Sequence, residues 1–499
     1  MMDSSTHSGG SLARIIFKNT AFVTAGNLIL RGLNFLFMVL VVRTLGDARF
    51  GQYSVVLAFV GLFQVFAELG ISQFVMREAA RDKANVLRYF WNLVLLRLLL
   101  AVLGIIGITL AGSRAGYSEE IILGIFLYTT TFLLAAFESP LFDLFQAYEK
   151  MKEASLLVII GQIAFITFGA IFLLSGLSYF WLIVASLISF LPRIALGFWM
   201  AVRQRMLPPV FSIQPRLWLD MIRSGFPFGI ITLTMTIDTS IDTLILKSLE
   251  SDQVVGWYNV AHNFIFSLLS ITRGFRTAIV PSLARTYNGD ATTVREWFYR
   301  SVKFSWLFSI PVAVGGMMIA TPLILFLYDQ TFIPAGPLLQ VFIWDYPLRM
   351  YSSLCGQMAT VIQAEKQAAR INIINAIANV ILNFIFIPQY GMMGAAVVSV
   401  ATDAISAIQF YFLMRLHLKP RSTLPDFLRI LAASAVMGGV VWLANDLHVI
   451  ISVAIGAVVF VICAGLFRVL DATEWGWMKK ALHLAHRAAR DRLQAGNGK

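Results

Sequence analysis

Asp238 and Asp242 stand in an apolar run, residues 225–247, where an ionised side chain is costly. They are one helical turn apart and therefore share a helix face. Insertion scales put a charged residue at the centre of a membrane helix at about 2.5–3.5 kcal/mol, so such groups face a bundle interior or a watery cavity. We expect this face to line a central cavity. A second constellation follows later in the chain: Asn375, Asn379 and Asn383 recur every four residues, preceded by Asn372, and Thr402 and Asp403 lie in the next apolar run. Carboxylate, amide and hydroxyl oxygens from several helices are the ligands a hard cation prefers. The same amides would equally serve as hydrogen-bonding groups between helices.

Four arginines also fall inside apolar runs: Arg31, Arg97, Arg193 and Arg349. A guanidinium presents a fixed fork suited to bidentate binding of phosphate oxygens or to pairing with a carboxylate. Arg31, near the middle of its run, has Asp238 as one candidate ion-pair partner. Arg97 is about one turn inside its run, close enough for its head to snorkel to the nearer surface. Arg349 follows Asp345 by four residues across Pro347, the spacing of an ion pair within one helix. Arg273 and Arg276, at the end of another run, suit either a basic funnel for an anionic head group or simple anchoring at the membrane surface.

The elements that must position these residues are membrane helices. With 58% hydrophobic residues, 13% charged residues and a mean hydropathy of +0.76, the 499-residue chain is not an ordinary soluble globule. Counting about twenty residues per crossing predicts fourteen spans: residues 19–42, 50–72, 91–112, 119–140, 154–176, 178–200, 225–247, 254–275, 301–327, 335–362, 369–388, 391–414, 427–445 and 448–469. The polar leader, residues 1–18, runs into a stretch long enough to remain as a span, so no cleavable signal is expected. Cys355 and Cys463 both lie in apolar runs and offer no disulfide framework or cysteine metal site.

The net charge of +12 does not point to nucleic acid, because of where it sits. Threading the spans places 31 of the 39 Lys and Arg on one side and four, Arg43, Arg49, Arg114 and Lys247, on the other. That asymmetry predicts both termini in the cytoplasm and a chain in the cell (inner or plasma) membrane.

The pattern restarts at midchain. Gly51 and Tyr53 pair with Gly256 and Tyr258 at an offset of 205, and Gln146-Ala147-Tyr148-Glu149-Lys150 echoes Gln363-Ala364-Glu365-Lys366 at 217. We therefore expect an all-α polytopic membrane protein of two homologous six-helix lobes plus two C-terminal helices. The expected segments are an N-lobe (1–200), a cytoplasmic linker (201–224), a C-lobe (225–416), two extra helices (427–470) and a basic amphipathic tail (471–499). Pro208, Pro209 and Pro215 stop the sixth span, and residues 216–223 suit a segment lying at the interface. The tail alternates apolar and basic residues from Trp475 to Arg492, a pattern for anionic membrane lipids.

Several ordered motifs resemble the oligosaccharide flippase family. In the first half these are Leu45-Gly46, Phe50-Gly51-Gln52-Tyr53, Ala67-Glu68-Leu69-Gly70-Ile71-Ser72 and Arg77-Glu78-Ala79-Ala80-Arg81. In the second they are Ile241-Asp242-Thr243-Leu244, Val255-Gly256-Trp257-Tyr258, Val280-Pro281-Ser282-Leu283, and Asn383 before Pro388-Gln389-Tyr390-Gly391. The family belongs to a superfamily that also holds the multidrug and toxin extruders and the lipid-linked peptidoglycan precursor flippases. The resemblance implies alternating-access movement of a polyprenyl-diphosphate-linked oligosaccharide, with polysaccharide polymerase machinery as a possible neighbour. It also implies a substrate set of Arg31, Arg97, Arg273, Arg276 and Arg349, with Arg31 meeting the diphosphate. The implied cation site comprises Asp238 or Asp242, Asn375, Asn379, Thr402 and Asp403, for Na+ or a proton. An asparagine stands where a second carboxylate is expected on the eleventh span. The two extra spans are associated in the family with a groove for the lipid tail. The competing readings are a drug extruder and a membrane glycosyltransferase or polymerase. Against the latter, every predicted outer loop is about a dozen residues or shorter, and no phosphate-binding Walker pattern implies ATP or another cofactor.

Overall fold

A computed structural model describes residues 7–82, 84–207, 213–286, 291–444 and 447–469. The proposed amphipathic tail and the side chains of Arg273 and Arg276 lie outside the described part. The described residues form sixteen α-helices, one short 3-10 turn and no strand. In order these are α1 His7–Glu68, α2 Ile71–Arg81, α3 Ala84–Arg114, α4 Glu119–Thr129, α5 Thr131–Ala147, α6 Met151–Leu174, α7 Phe180–Arg203, α8 Pro215–Leu249, α9 Asp252–Thr286, α10 Ala291–Met318, α11 Ala320–Leu327, α12 Ala335–Phe342, α13 Asp345–Val361, α14 Glu365–Leu418, α15 Leu424–Leu443 and α16 Val449–Leu466.

Ten helical stretches, with α4 and α5 counted as one, are long and apolar enough to cross a membrane. Two of the ten each hold two spans, because a glycine interrupts the helix: Gly46 in α1 (φ 71°, ψ 177°) and Gly391 in α14 (φ 56°, ψ −140°). A straight helix of 62 residues would reach about 93 Å, three membrane cores. At Gly391 the chain doubles back so tightly that a methyl on Gly394 would lie 2.5 Å from the carbonyl oxygen of Phe386. With α9 and the broken pair α12–α13, fourteen crossings result.

The repeat is visible in backbone geometry. Positive φ recurs at Glu149 and Gln363, at Gly176 and Gly391, and at Arg205 and Lys419, offsets of 214, 215 and 214. The turn geometry therefore sets the register of the second echo at 214 rather than 217: Glu149 matches Gln363, and the similar letters around them are shifted by three. The first echo keeps its offset of 205. A methyl on Gly51 would sit 1.8 Å from the Asp252 carbonyl oxygen, and one on Gly256 would sit 2.2 Å from that of Asp47. Each glycine thus receives the backbone of the partner repeat, a reciprocal contact between the lobes.

That contact closes one end of the lobe interface. Around it, Arg43 donates through Nε to the Leu327 carbonyl (2.6 Å), Gln52 donates to Asp252 (3.1 Å), and Lys247 pairs with Asp252 at 2.5 Å. The other seam lies about 30 Å away along the second half of α1. There Leu69 and Gly70 (φ 46° and 67°) meet Gly225 and Gly229 of α8 so closely that a methyl on Gly70 would fall 2.4 Å from the Gly225 carbonyl. Backbone meets backbone at both ends.

Residues 216–223 do not form a separate surface segment. Pro215 opens α8, and nothing after it breaks the helix before the span begins. Leu217 and Met221 are buried against Ile71, Phe74 and Leu93, and the Trp218 indole donates to Asn92 at 3.1 Å. This helical entrance is docked on the N-lobe through one face, with Arg216, Leu219 and Asp220 exposed on the other. The last two helices pack on α10, where Gly438 of α15 leaves room for Val314.

Candidate functional site

Asp242, expected to face the central cavity, instead points into the C-lobe and is 3% exposed. Its Oδ2 accepts from the Tyr258 hydroxyl (2.7 Å) and the Ser399 hydroxyl (3.1 Å), and its Oδ1 accepts from the Asn383 amide (2.5 Å). Asn383 also donates to Asn379 (2.9 Å), and Asn379 donates to Thr402 (3.3 Å). Further along, Asn375 donates to Gln409 at 2.9 Å. The asparagine row of α14 therefore links its two halves and ends on Asp242. A buried carboxylate must be satisfied by donors or a cation, and here three neutral donors meet it.

One turn earlier on α8, Asp238 belongs to a second cluster. Arg349 of α13 lies 2.6 Å from Asp403 of α14, 3.3 Å from Asp238 and 3.8 Å from Asp345 of its own helix. Its guanidinium also stands 5.4 Å from the Phe266 ring centroid, over the ring. The intrahelical Asp345–Arg349 pair expected from sequence is present, but the closest partner comes from 54 residues downstream. Three ionised carboxylates and one guanidinium would leave a formal charge of −2 within the bundle. One carboxylate oxygen of Asp345, whose side chain is almost wholly buried, has no hydrogen-bond partner.

Arg31 is half-buried in the first half of α1, and the carboxylate considered for it, Asp238, is engaged by Arg349. Arg97 does not snorkel. It is 5% exposed, donates to the Ser72 hydroxyl at 2.5 Å and lies 3.7 Å from Asp143, which also accepts from Ser72 at 2.9 Å. Asp143 supplies the reason: its buried negative charge holds the arginine inside. Arg193 behaves similarly, reaching Glu138 at 4.0 Å through space left by Gly161.

The polar cavity between the lobes, about 280 Å³, is lined by Ser54 and Leu57 of α1, Thr239, Ser240 and Thr243 of α8, and His262 and Asn263 of α9. The face of α8 turned to this space is thus its hydroxyl face. The expected site residues fall in three places: Asp242, Asn375, Asn379 and Thr402 along one hydrogen-bonded row; Asp238, Asp403 and Arg349 in the adjoining ion cluster; Arg31 and Arg97 in the N-lobe. Ser399, Asp143 and Glu138 complete these networks and were not singled out by sequence; Tyr258, which joins them, was noted there as a repeat and motif residue only. For the two carboxylates the signal was present, since both stand in apolar sequence as Asp238 does.

The Asp242 oxygens and the Asn379 oxygen accept from N–H and O–H groups, while Asn375 Oδ1 and Asn383 Oδ1 are buried in the same row without a hydrogen-bond partner. Arg349 supplies the only cation within the second cluster among the described residues.

Two lobes of six helices, related by a repeat and meeting around a polar cavity, define a multi-pass membrane protein with a transporter fold. Residues 16–287 match the family model described as polysaccharide biosynthesis protein, and residues 227–385 match the MatE model. The chain belongs to the polysaccharide biosynthesis protein family. Among named relatives it is 20% identical to Haloferax volcanii "Probable low-salt glycan biosynthesis flippase Agl15", over 77% of this chain and 80% of that one. It is 25% identical to "Probable flippase AglR" of the same organism, over 34% of this chain and 36% of that one. A Vibrio cholerae "Probable lipid II flippase MurJ" is 28% identical over 40% of each chain. The chain thus spans well under half of two of these relatives.

In three dimensions it is similar to the lipid II flippase MurJ in an inward closed conformation, with a TM-score of 0.75 at 17% identity, covering 90% of this chain and 98% of that one. An inward-facing multidrug resistance MATE family transporter of the MOP superfamily gives 0.62 at 15% identity, covering 79% and 94%. These likenesses establish the fold.

Proposed function

We propose that the protein is a flippase that carries a polyprenyl-diphosphate-linked oligosaccharide from the cytoplasmic to the outer leaflet by alternating access, for cell-surface polysaccharide synthesis. The observation that carries this reading is the reciprocal two-lobe interface with glycine seams at both ends, in a chain of the polysaccharide biosynthesis family. Opening one seam while the other stays shut exposes the intervening cavity to one side at a time. The head group enters between the lobes, and Arg31 grips the diphosphate with its bidentate fork. Arg273 and Arg276 belong to the basic entrance, whereas Arg97 is committed to Ser72 and Asp143 inside the N-lobe. Arg349 is assigned to coupling, because its guanidinium is already committed to Asp238, Asp345 and Asp403.

The coupling ion in this reading is the proton. Asp242 with its donors and the Arg349 cluster are two acidic centres one turn apart on α8, and protonating either weakens bonds that join α8 to α13 or α14. The same basic-side asymmetry supports a plasma-membrane protein with both termini in the cytoplasm. The relatives' names support a glycan-lipid cargo, while the MatE match and the MATE-like structure favour drug extrusion as the second reading.

Reconstitution tests it. Purified protein in sealed vesicles should translocate a fluorescent polyprenyl-diphosphate glycan, faster with an imposed proton gradient. Drug extrusion without lipid translocation would select the second reading.

A further inference from the structure

A second cavity, about 950 Å³, opens on the outer flank of the C-lobe and has no part in the lobe interface. Its walls are α10, α13, the second half of α14 and the start of α15. It runs along α14 from Val400 to Arg415, about 22 Å at the helical rise. Its body is apolar and aromatic, with Trp306, Trp344 and Tyr351 inside, and Ile408 and Tyr411 at the exposed rim. One end alone is charged: Arg415 and Arg421 line it, beside Ser422 and Thr423 at the N-terminus of the 20-residue α15.

We infer that this groove holds one anionic phospholipid from the leaflet at the basic end of the bundle. Three features select that occupant. The length covers one leaflet, whose hydrocarbon is about half of a 30 Å core, plus the glycerol and phosphate. The polarity is that of such a lipid, an apolar channel ending in two guanidiniums beside the N-terminal end of α15. Asp426, in the first turn of α15 beside that end, is turned away: it accepts from the Tyr299 hydroxyl and lies 3.8 Å from Lys303. Arg421 is steadied over the Tyr299 ring at 5.5 Å.

The transported lipid is a poorer match, because α13 and α14 stand between the groove and the cavity between the lobes. Those two helices turn Pro347, Leu348 and Ala404 to the groove, next in sequence to Arg349 and Asp403. A lipid here therefore lies against the outer side of the walls that hold the ion cluster.

The experiment is lipid retention by the full-length protein. Protein equilibrated with phosphatidylglycerol or with phosphatidylcholine is washed in detergent and weighed intact by native mass spectrometry. We expect one retained phosphatidylglycerol per chain and at least tenfold weaker retention of phosphatidylcholine. Arg415→Gln with Arg421→Gln should lower phosphatidylglycerol affinity at least tenfold, and the corresponding pair of lysine variants should keep most of it. Ala407→Phe, which fills the apolar part and leaves both arginines, should also lose the lipid. An unchanged thermal unfolding curve for each variant certifies that loss is not unfolding; a variant that fails this is replaced by Ile408→Trp at the rim. Equal retention of the two phospholipids, or wild-type retention by the glutamine pair, overturns the proposal. Stoichiometric displacement of phosphatidylglycerol by a polyprenyl diphosphate also overturns it, and gives the groove to the cargo.

Discussion

Replacing Gly256 with alanine should force open one end of the lobe interface. The added methyl would stand 2.2 Å from the Asp47 carbonyl oxygen and 3.0 Å from its carbon, against ordinary contact from 3.4 Å. The obstruction is backbone on both sides, so no side chain can rotate away, and α1 and α9 must separate by about 1 Å. Overpacking of this kind costs about 1–3 kcal/mol. A state in which this seam is open escapes that cost, so the ratio of open to closed rises by roughly 5- to 150-fold. The reporter is a single cysteine at Ser54, a residue that lines the cavity, in a background where Cys355 and Cys463 are replaced by alanine. Its labelling by a membrane-impermeant maleimide added on the side of Gly51 should accelerate in proportion. Gly225→Ala, whose methyl would meet the Leu69 carbonyl at 2.7 Å in the opposite seam, should not accelerate it. Unchanged labelling in a folded Gly256→Ala protein, or equal acceleration by both variants, refutes the two-seam argument.

Arg349→Gln strips the cation from Asp238, Asp345 and Asp403, and should lower stability by about 3–5 kcal/mol in denaturant titration; adding Asp403→Asn should recover a substantial part, and no recovery would mean the cluster is not electrostatic in origin. Tyr258→Phe removes one of three donors to Asp242 while keeping the ring, for an expected loss of about 1–3 kcal/mol in the same titration; a loss near zero would show that Asp242 is satisfied without it. Asp242→Asn should leave insertion intact and abolish the response of transport to a proton gradient, with sodium gradients inert before and after; a sodium-dependent rate in the parent would restore the cation site. A phosphatase fused after Lys499 should be inactive and a fluorescent protein there bright, from the 31-to-4 bias of basic residues; an active phosphatase would contradict the orientation.

The crossings were readable because a membrane span is a local property: length and apolarity suffice, and the glycine punctuation at Gly46 and Gly391 added the breaks. The functional clusters were half readable. Asp238, Asp242, Asn379 and Arg349 declared themselves as costly groups in apolar sequence, but their partners were set by how helices rotate about their axes. Asp238 could be paired on paper with Arg31, yet rotation of α8 gives it to Arg349 and presents Thr239 and Thr243 to the cavity instead. Arg349 and Asp403 are joined across two helices, a separation that spacing rules within a helix do not reach. Asp143 shows a different failure. It stands in the apolar stretch Leu141-Phe142-Asp143-Leu144-Phe145, as legible as Asp238, and noticing it would have placed Arg97 inside the N-lobe rather than at the surface.

The central claim is that the lobe interface carries a lipid diphosphate, and Arg31 provides the direct measurement. Vesicles containing wild-type protein or Arg31→Ala are loaded with a fluorescent polyprenyl-diphosphate glycan, and its appearance in the opposite leaflet is followed by reagent quenching. The account predicts rapid translocation by the wild type, a loss of at least tenfold in Arg31→Ala, partial activity in Arg31→Lys, and no transport of the matching uncharged lipid. Equal transport of charged and uncharged lipids, or wild-type rates in Arg31→Ala, would contradict it.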